Sequence, residues 1–133
     1  MGKFKLSRQK AHRVSLERNL LTSLVLHKRL VTTDAKAKQV KPLADKLLHK
    51  AQTDQNLSTK RSVGNILHTK KAVKELFEVV VPKLPKTKGS LVKLVKVEPR
   101  VGDRANRSAL VITKKPEEIK KKTTKKLKPH EKK

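Results

Sequence analysis

Residues 29–40 read "RLVTTDAKAKQV", and the fold class turns on where in this stretch a strand gives way to a helix. "RLVT" (29–32) ends on the β-branched pair Val31 and Thr32, which suits a short pleated strand. Thr33 then offers a hydroxyl that can cap a helix, and Asp34 in the first turn complements the positive end of the helix dipole. Downstream, Val40, Leu43, Ala44, Leu47, Leu48 and Ala51 recur at i, i+3, i+4 spacing, with Ala37 extending the stripe upward. Pro42 sits inside this pattern. It removes one backbone hydrogen bond and crowds the preceding turn, so the helix is expected either to kink near residues 38–42 or to split in two.

Towards the N-terminus, residues 14–28 also read as a helix. Val14, Leu16, Leu20, Leu21, Leu24 and Val25 cover about half its circumference at ~100° per residue, which predicts a central, mostly buried helix. Residues 1–13, "MGKFKLSRQKAHR", show little periodicity and carry five positive charges. They read as an extended basic arm with Phe4 and Leu6 as anchors.

Towards the C-terminus, "TDQN" (53–56) breaks the helical pattern. Ser58 is placed to cap a short helix with Val63, Ile66 and Leu67 inward, weakened by Gly64. Thr69 is placed to cap another with Val73, Leu76, Phe77, Val80 and Val81 inward, ended by Pro82. Residues 82–90 form a basic loop. Residues 91–98 and 107–113 are strand-like, and the turn chemistry at Gly102-Asp103 joins them into an antiparallel hairpin. Residues 114–133 hold ten Lys and three Glu with little to bury, the composition of a disordered, solvated tail.

The expected architecture is therefore α+β and two-layered. Its order is helix, strand, three helices, two strands, with helices covering a small three-stranded sheet. The organisation is a basic arm (1–13), one globular domain (14–113) and a disordered Lys-rich tail (114–133).

Composition narrows the function. The 133 residues carry 36 Lys and Arg against 11 Asp and Glu, a formal net charge of +25. Such self-repulsion opposes a compact state unless a polyanion neutralises it. Nucleic acid is the first choice of polyanion, with an anionic membrane surface behind it. With two Phe and no Tyr or Trp, the chain lacks the rings for single-strand binding by base stacking. Contacts to phosphates and to nucleic-acid shape fit better. No cysteine is present, which removes disulfides, thiolate metal sites and a cysteine nucleophile. No run approaches the ~18–20 apolar residues of a membrane span.

Candidate catalytic and metal-binding groups are weak. The five histidines (His12, His27, His49, His68, His130) are scattered, with no pair at helical i, i+4 spacing, and a metal site needs convergent ligands. The carboxylate pairs Glu75/Glu78 and Glu117/Glu118 fall on a solvated helix face and in the tail, where nothing shifts a pKa towards acid–base work. No Gly-rich phosphate loop occurs. Neither a cofactor nor a small-molecule substrate is expected. The basic residues carry the chemistry instead. Arginine is scarce, yet six of the eight lie in two places: Arg8, Arg13 and Arg18, joined there by Lys10, and Arg100, Arg104 and Arg107 around the hairpin turn. The guanidinium fork suits phosphate oxygens.

The stretch "AHRVSLERNLLTSLVLHKRLVTTDAKAKQVKPLADKLL" (11–48) resembles the opening of the bacterial-type large-subunit ribosomal protein seventeen family. The motifs that carry the likeness are His12-Arg13, Arg18-Asn19-Leu20, Leu24, Arg29-Leu30-Val31, Thr32-Thr33, Ala35-Lys36-Ala37-Lys38 and Lys46-Leu47. "AVKELF" (72–77) and "RVGD" (100–103) follow in the family's order. Departures are "TKGSLVK" (87–93) in place of a Gly-Gly-Tyr-Thr-Arg run, Pro42 at a position usually not proline, and a longer Lys-rich end. The resemblance implies a non-enzymatic rRNA-binding protein on the solvent side of the large subunit, near the peptide tunnel exit. Neighbouring large-subunit ribosomal proteins are its implied protein partners. A cytoplasmic ribosome is the implied location, and the acid-free, basic residues 1–16 leave an organellar one open. The expected RNA-binding set is Lys3, Lys5, Arg8, Lys10, His12, Arg13, Arg18, Asn19, Thr32, Thr33, Lys36, Lys38, Arg100, Arg104 and Arg107. On a helical projection Lys38 points away from the apolar stripe and Lys36 flanks it, so the two reach separate phosphates. The main rival is a DNA-compacting protein of linker-histone type, which explains the tail but neither the arm nor the Arg-bearing hairpin.

Overall fold

The computed structural model describes residues 5–87 and 89–113. Lys3, Phe4 and the tail at 114–133 lie outside the described residues. Four α-helices and a three-stranded antiparallel sheet follow in the order α1 (Lys10–His27), β1 (Arg29–Thr33), α2 (Asp34–Thr53), α3 (Leu57–Gly64), α4 (Lys70–Glu75), β2 (Val92–Val97) and β3 (Arg107–Ile112). This is the expected α+β order.

The helices differ from expectation at their ends. α1 starts at Lys10, four residues before the apolar pattern does, because polar residues can extend a helix without leaving a periodic signature. Only its C-terminal half is buried, through Leu21, Thr22, Leu24 and Val25. Val14, expected inside, is exposed. The buried Thr22 hydroxyl donates to the Arg18 carbonyl at 2.8 Å and accepts the His68 N–H at 3.2 Å, so no polar group there is left unsatisfied. α1 closes on Lys28 in the left-handed region (φ 61°), whose N–H donates to the Leu24 carbonyl.

α2 buries Ala37, Val40, Ala44, Leu47, Leu48 and Ala51, with Leu43 packed at the edge. It runs unbroken through Pro42, so the helix is one piece. Pro42 lies on its exposed side, where water can serve the carbonyl that loses its N–H partner. α3 is preceded by Asn56 in the capping position, which moves its start ahead of Ser58. α4 continues into a π-helical turn, Leu76–Val80, and a 3₁₀ turn, Val81–Lys83. The wider turn, closed by the Val81 N–H on the Leu76 carbonyl, lets Leu76, Val80 and Val81 all face inward. Val73 and Phe77 pack only partly.

The two threonines expected to cap helices behave differently. The Thr69 side chain accepts the Ala72 N–H at 3.3 Å. Thr33 occupies the capping position of α2 but its side chain makes no such bond. Thr33 is also the last residue of β1, paired with Arg107, and this fixes it on a strand face. Thr69→Ala is therefore expected to lower stability by ~1 kcal/mol, and Thr33→Ala by less than ~0.5 kcal/mol. Urea unfolding of the two variants checks the contrast.

β3 is the central strand, in the order β1-β3-β2. Leu30, Leu110 and Leu94 lie side by side across the three strands and face the helices, with Val92 and Ile112 beside them. The loop between Val81 and β2 is fastened by α2. The Asp45 carboxylate accepts the N–H groups of Leu91 and Val92, each at 2.9 Å, and the Ser90 hydroxyl at 3.0 Å. Gln52 donates to the Pro85 carbonyl at 3.1 Å. These contacts hold Leu84 and Leu91 in the core.

Candidate nucleic-acid interface

The basic residues divide between two regions of the surface. The first is the start of the described chain together with α1. Lys5, Arg8, Lys10, His12, Arg18 and Asn19 are exposed or partly so, and Arg13 is half-buried. An Arg8 guanidinium nitrogen lies 2.8 Å from His12 Nε2, and Arg13 donates to the Arg8 carbonyl at 3.4 Å. These bonds bring the expected arm residues onto the first turns of α1. None of Lys5, Arg8, Lys10, Arg13 or Arg18 forms an ion pair among the described residues. The nearby carboxylate, Glu17, is occupied by Gln39 Nε2 at 2.9 Å.

Arg18 also borders an open groove of about 310 Å³ floored by Val14, Leu21, Leu43, Leu47 and Ile66 and flanked by Lys46 and Lys50. Neither lysine is in the RNA-binding set expected from the sequence, although Lys46 belongs to the Lys46-Leu47 motif. Their signal was present: they are four residues apart on one flank of α2, one helical turn from each other.

The second region joins the start of α2 to the hairpin. The Asp34 N–H donates to the Asn106 carbonyl at 3.1 Å, and the buried Ser108 hydroxyl donates to the Asp34 carboxylate at 2.8 Å. Lys38 pairs with the same carboxylate at 2.7 Å while its side chain stays 55% exposed. These contacts hold the Asp34 carboxyl below the usual carboxylate range, the Lys38 bond contributing most and the Ser108 bond next. The helix start is thus partly spent on internal bonds, and a phosphate reaching Lys38 competes with an ionised Asp34. Lys36 is half-buried. Thr32 and Thr33 point to opposite faces of β1, Thr32 to the helix side with Leu30.

The hairpin arginines are not equivalent. Arg100 is bound to Asp103 through its Nε at 3.1 Å and through a second guanidinium nitrogen. That contact raises the Arg100 pKa and drives the Asp103 carboxyl far below its ordinary value. Arg107 donates from Nε to the Glu98 carbonyl at 2.9 Å. Arg104, at φ 50°, is exposed and makes no side-chain bond among the described residues. Gly102, at φ 108°, supplies the backbone conformation the turn needs and that a side chain would strain. Counting arginines located this cluster. It could not show that Arg100 shapes the turn itself.

Among the described residues no group of three His, Asp or Glu is placed to hold a metal ion. No described helix is long and apolar enough to cross a membrane.

The family model described as "Ribosomal protein L17" matches residues 16–113. The large ribosomal subunit protein bL17 of Chlorobaculum tepidum is 38% identical over 106 residues, covering 80% of this chain and 67% of that protein. That of Halothermothrix orenii is 36% identical over 110 residues, covering 83% of this chain and 96% of that protein. That of Trichlorobacter lovleyi is 33% identical over 106 residues, covering 80% and 85%.

Proposed function

The chain belongs to the ribosomal protein L17 family, and from that premise we propose that it binds and stabilises folded large-subunit ribosomal RNA. Membership makes it a large-subunit ribosomal protein, a structural component and not an enzyme. The linker-histone alternative falls with it. The proposal adds the RNA contact, a position on the solvent side near the peptide tunnel exit, neighbouring ribosomal proteins as partners and the cytoplasmic ribosome as location.

One observation carries the RNA reading: the cations of the first region have no carboxylate partners among the described residues. In a chain of net charge +25, leaving these side chains unpaired on one helix costs stability through repulsion. A polyanion removes that cost. Arg8, Lys10, Arg13 and Arg18 supply phosphate contacts along α1, and Lys36, Lys38 and Arg104 supply them at the other region. Lys5, His12, Asn19, Thr32, Thr33, Arg100 and Arg107 complete the described set, the last two partly engaged in holding the hairpin.

The test separates the two kinds of cation. Arg18→Ala is expected to weaken binding to a large-subunit rRNA fragment and to lower the salt slope by about one contact. Arg100→Ala is expected to act mainly through loss of turn structure. Titrations of both variants at several salt concentrations measure this. An unchanged Arg18→Ala titration removes α1 from the interface.

A further inference from the structure

Among the described residues, the helices cover one face of the sheet and none packs on the other. Side chains alternate along a strand, so the register defines three cross-strand rows on the open face: Arg29–Val111–Lys93, Val31–Ala109–Val95 and Thr33–Arg107–Val97. The centre is aliphatic, the corners and edges carry three cations, and no carboxylate is present. Val31 is 42% exposed and Val95 52%, while the small Ala109 between them is only 2% exposed. At one corner the Thr33 hydroxyl caps nothing and is available to a ligand.

The dimensions restrict the occupant. Strand spacing puts the Arg29 and Lys93 backbones about 10 Å apart, and five residues of strand run about 13 Å. Three cations without a carboxylate favour a polyanion. The chain's own Lys-rich end carries the wrong sign of charge. With no aromatic ring among the nine residues, unstacked bases find no platform. A face this wide does not enter the deep, narrow major groove of A-form RNA. The minor groove is wide and shallow and displays ribose and 2′-hydroxyls between two phosphate strands.

We infer that the open face of the sheet docks on the minor groove of an A-form ribosomal RNA duplex. Val31 and Val95 lie on the riboses on either side of the buried Ala109, Arg29 and Lys93 reach phosphates on opposite strands, and Thr33 meets a 2′-hydroxyl. This rests on the rRNA reading above and adds to it the sheet face, which is distinct from α1 and shares only Thr33 and Arg107 with the residues already assigned there.

The absence of cysteine makes a site-directed probe clean. Val95→Cys and, separately, Ala11→Cys in the full chain are labelled with an iron chelate and assembled on large-subunit rRNA. Hydroxyl radicals from position 95 are expected to cut riboses on both strands of one duplex, offset to the 3′ side, as a source in the minor groove does. Cuts confined to a loop, or cuts from position 11 with none from 95, overturn the docking surface and leave the rRNA reading standing. Cuts from neither position overturn both. Val95→Asp provides a second readout. It is expected to weaken rRNA affinity about tenfold or more through carboxylate–phosphate repulsion, with the melting transition retained. Unchanged rRNA affinity combined with loss of contact to a neighbouring ribosomal protein would make the face a protein interface and overturn the inference.

Discussion

Raising the salt from about 50 to about 200 mM is expected to lower affinity for a large-subunit rRNA fragment by ~10³–10⁵, the response of a protein making ~6–10 phosphate contacts. The exposed cations without carboxylate partners on α1, together with Lys36, Lys38 and Arg104, supply that number. Each neutralised phosphate releases condensed counterions, and added salt opposes the release. Internal pairing modulates the slope. Lys38 must leave Asp34, and Arg100 stays committed to Asp103, so both contribute less than an unpaired cation. Titration of the full chain across the salt range measures the slope directly. A flat response would mean that the charge is simply solvated.

The second large effect is on folding. Leu110→Ala is expected to destabilise the chain by about 2–5 kcal/mol. Leu110 is fully buried on the central strand, between Leu30 and Leu94, and its removal leaves a cavity that neither edge strand can close. The total stability of a domain is only about 5–15 kcal/mol, and here it is opposed by a net charge of +25. A core built from Leu, Val, Ile and Ala, with Phe77 only at its edge, has no large ring to fill the gap. The variant is therefore expected to be largely unfolded alone at low salt. Excess rRNA restores it, since a ligand at about 100 times Kd adds about 2.7 kcal/mol. Urea unfolding at fixed salt, with and without RNA, measures both parts. A cost below ~1 kcal/mol would show that β3 is not the packed centre of the sheet.

What the sequence made legible follows from the range of the interactions involved. The α2 stripe from Ala37 to Ala51 could be read because burial on a helix repeats every 3.6 residues, and six of its members are buried as the spacing predicts. Thr69 could be read because its bond is to Ala72, three residues away. Thr33 could not, because its strand partner is Arg107, on the far side of the chain. The Asp45 clamp on Leu91 and Val92 escaped for the same reason. The early start of α1 left no signal because Lys10 to Arg13 contribute no apolar period. At the candidate interface, counting charges located the clusters. It could not separate Arg18 from Arg100, because both have a carboxylate close in sequence and only the fold shows that Asp103 pairs with Arg100 while Glu17 is held by Gln39. It also passed over Arg29 and Lys93, which meet across the sheet only once β3 lies between their strands.

The most direct test of the central claim is sedimentation of the tagged full chain from a cell lysate through a sucrose gradient. The account predicts that the chain travels with large subunits and assembled ribosomes, and that ribonuclease treatment shifts it to the top of the gradient. A chain found with chromosomal DNA, or in the free-protein fractions before any nuclease is added, would contradict it.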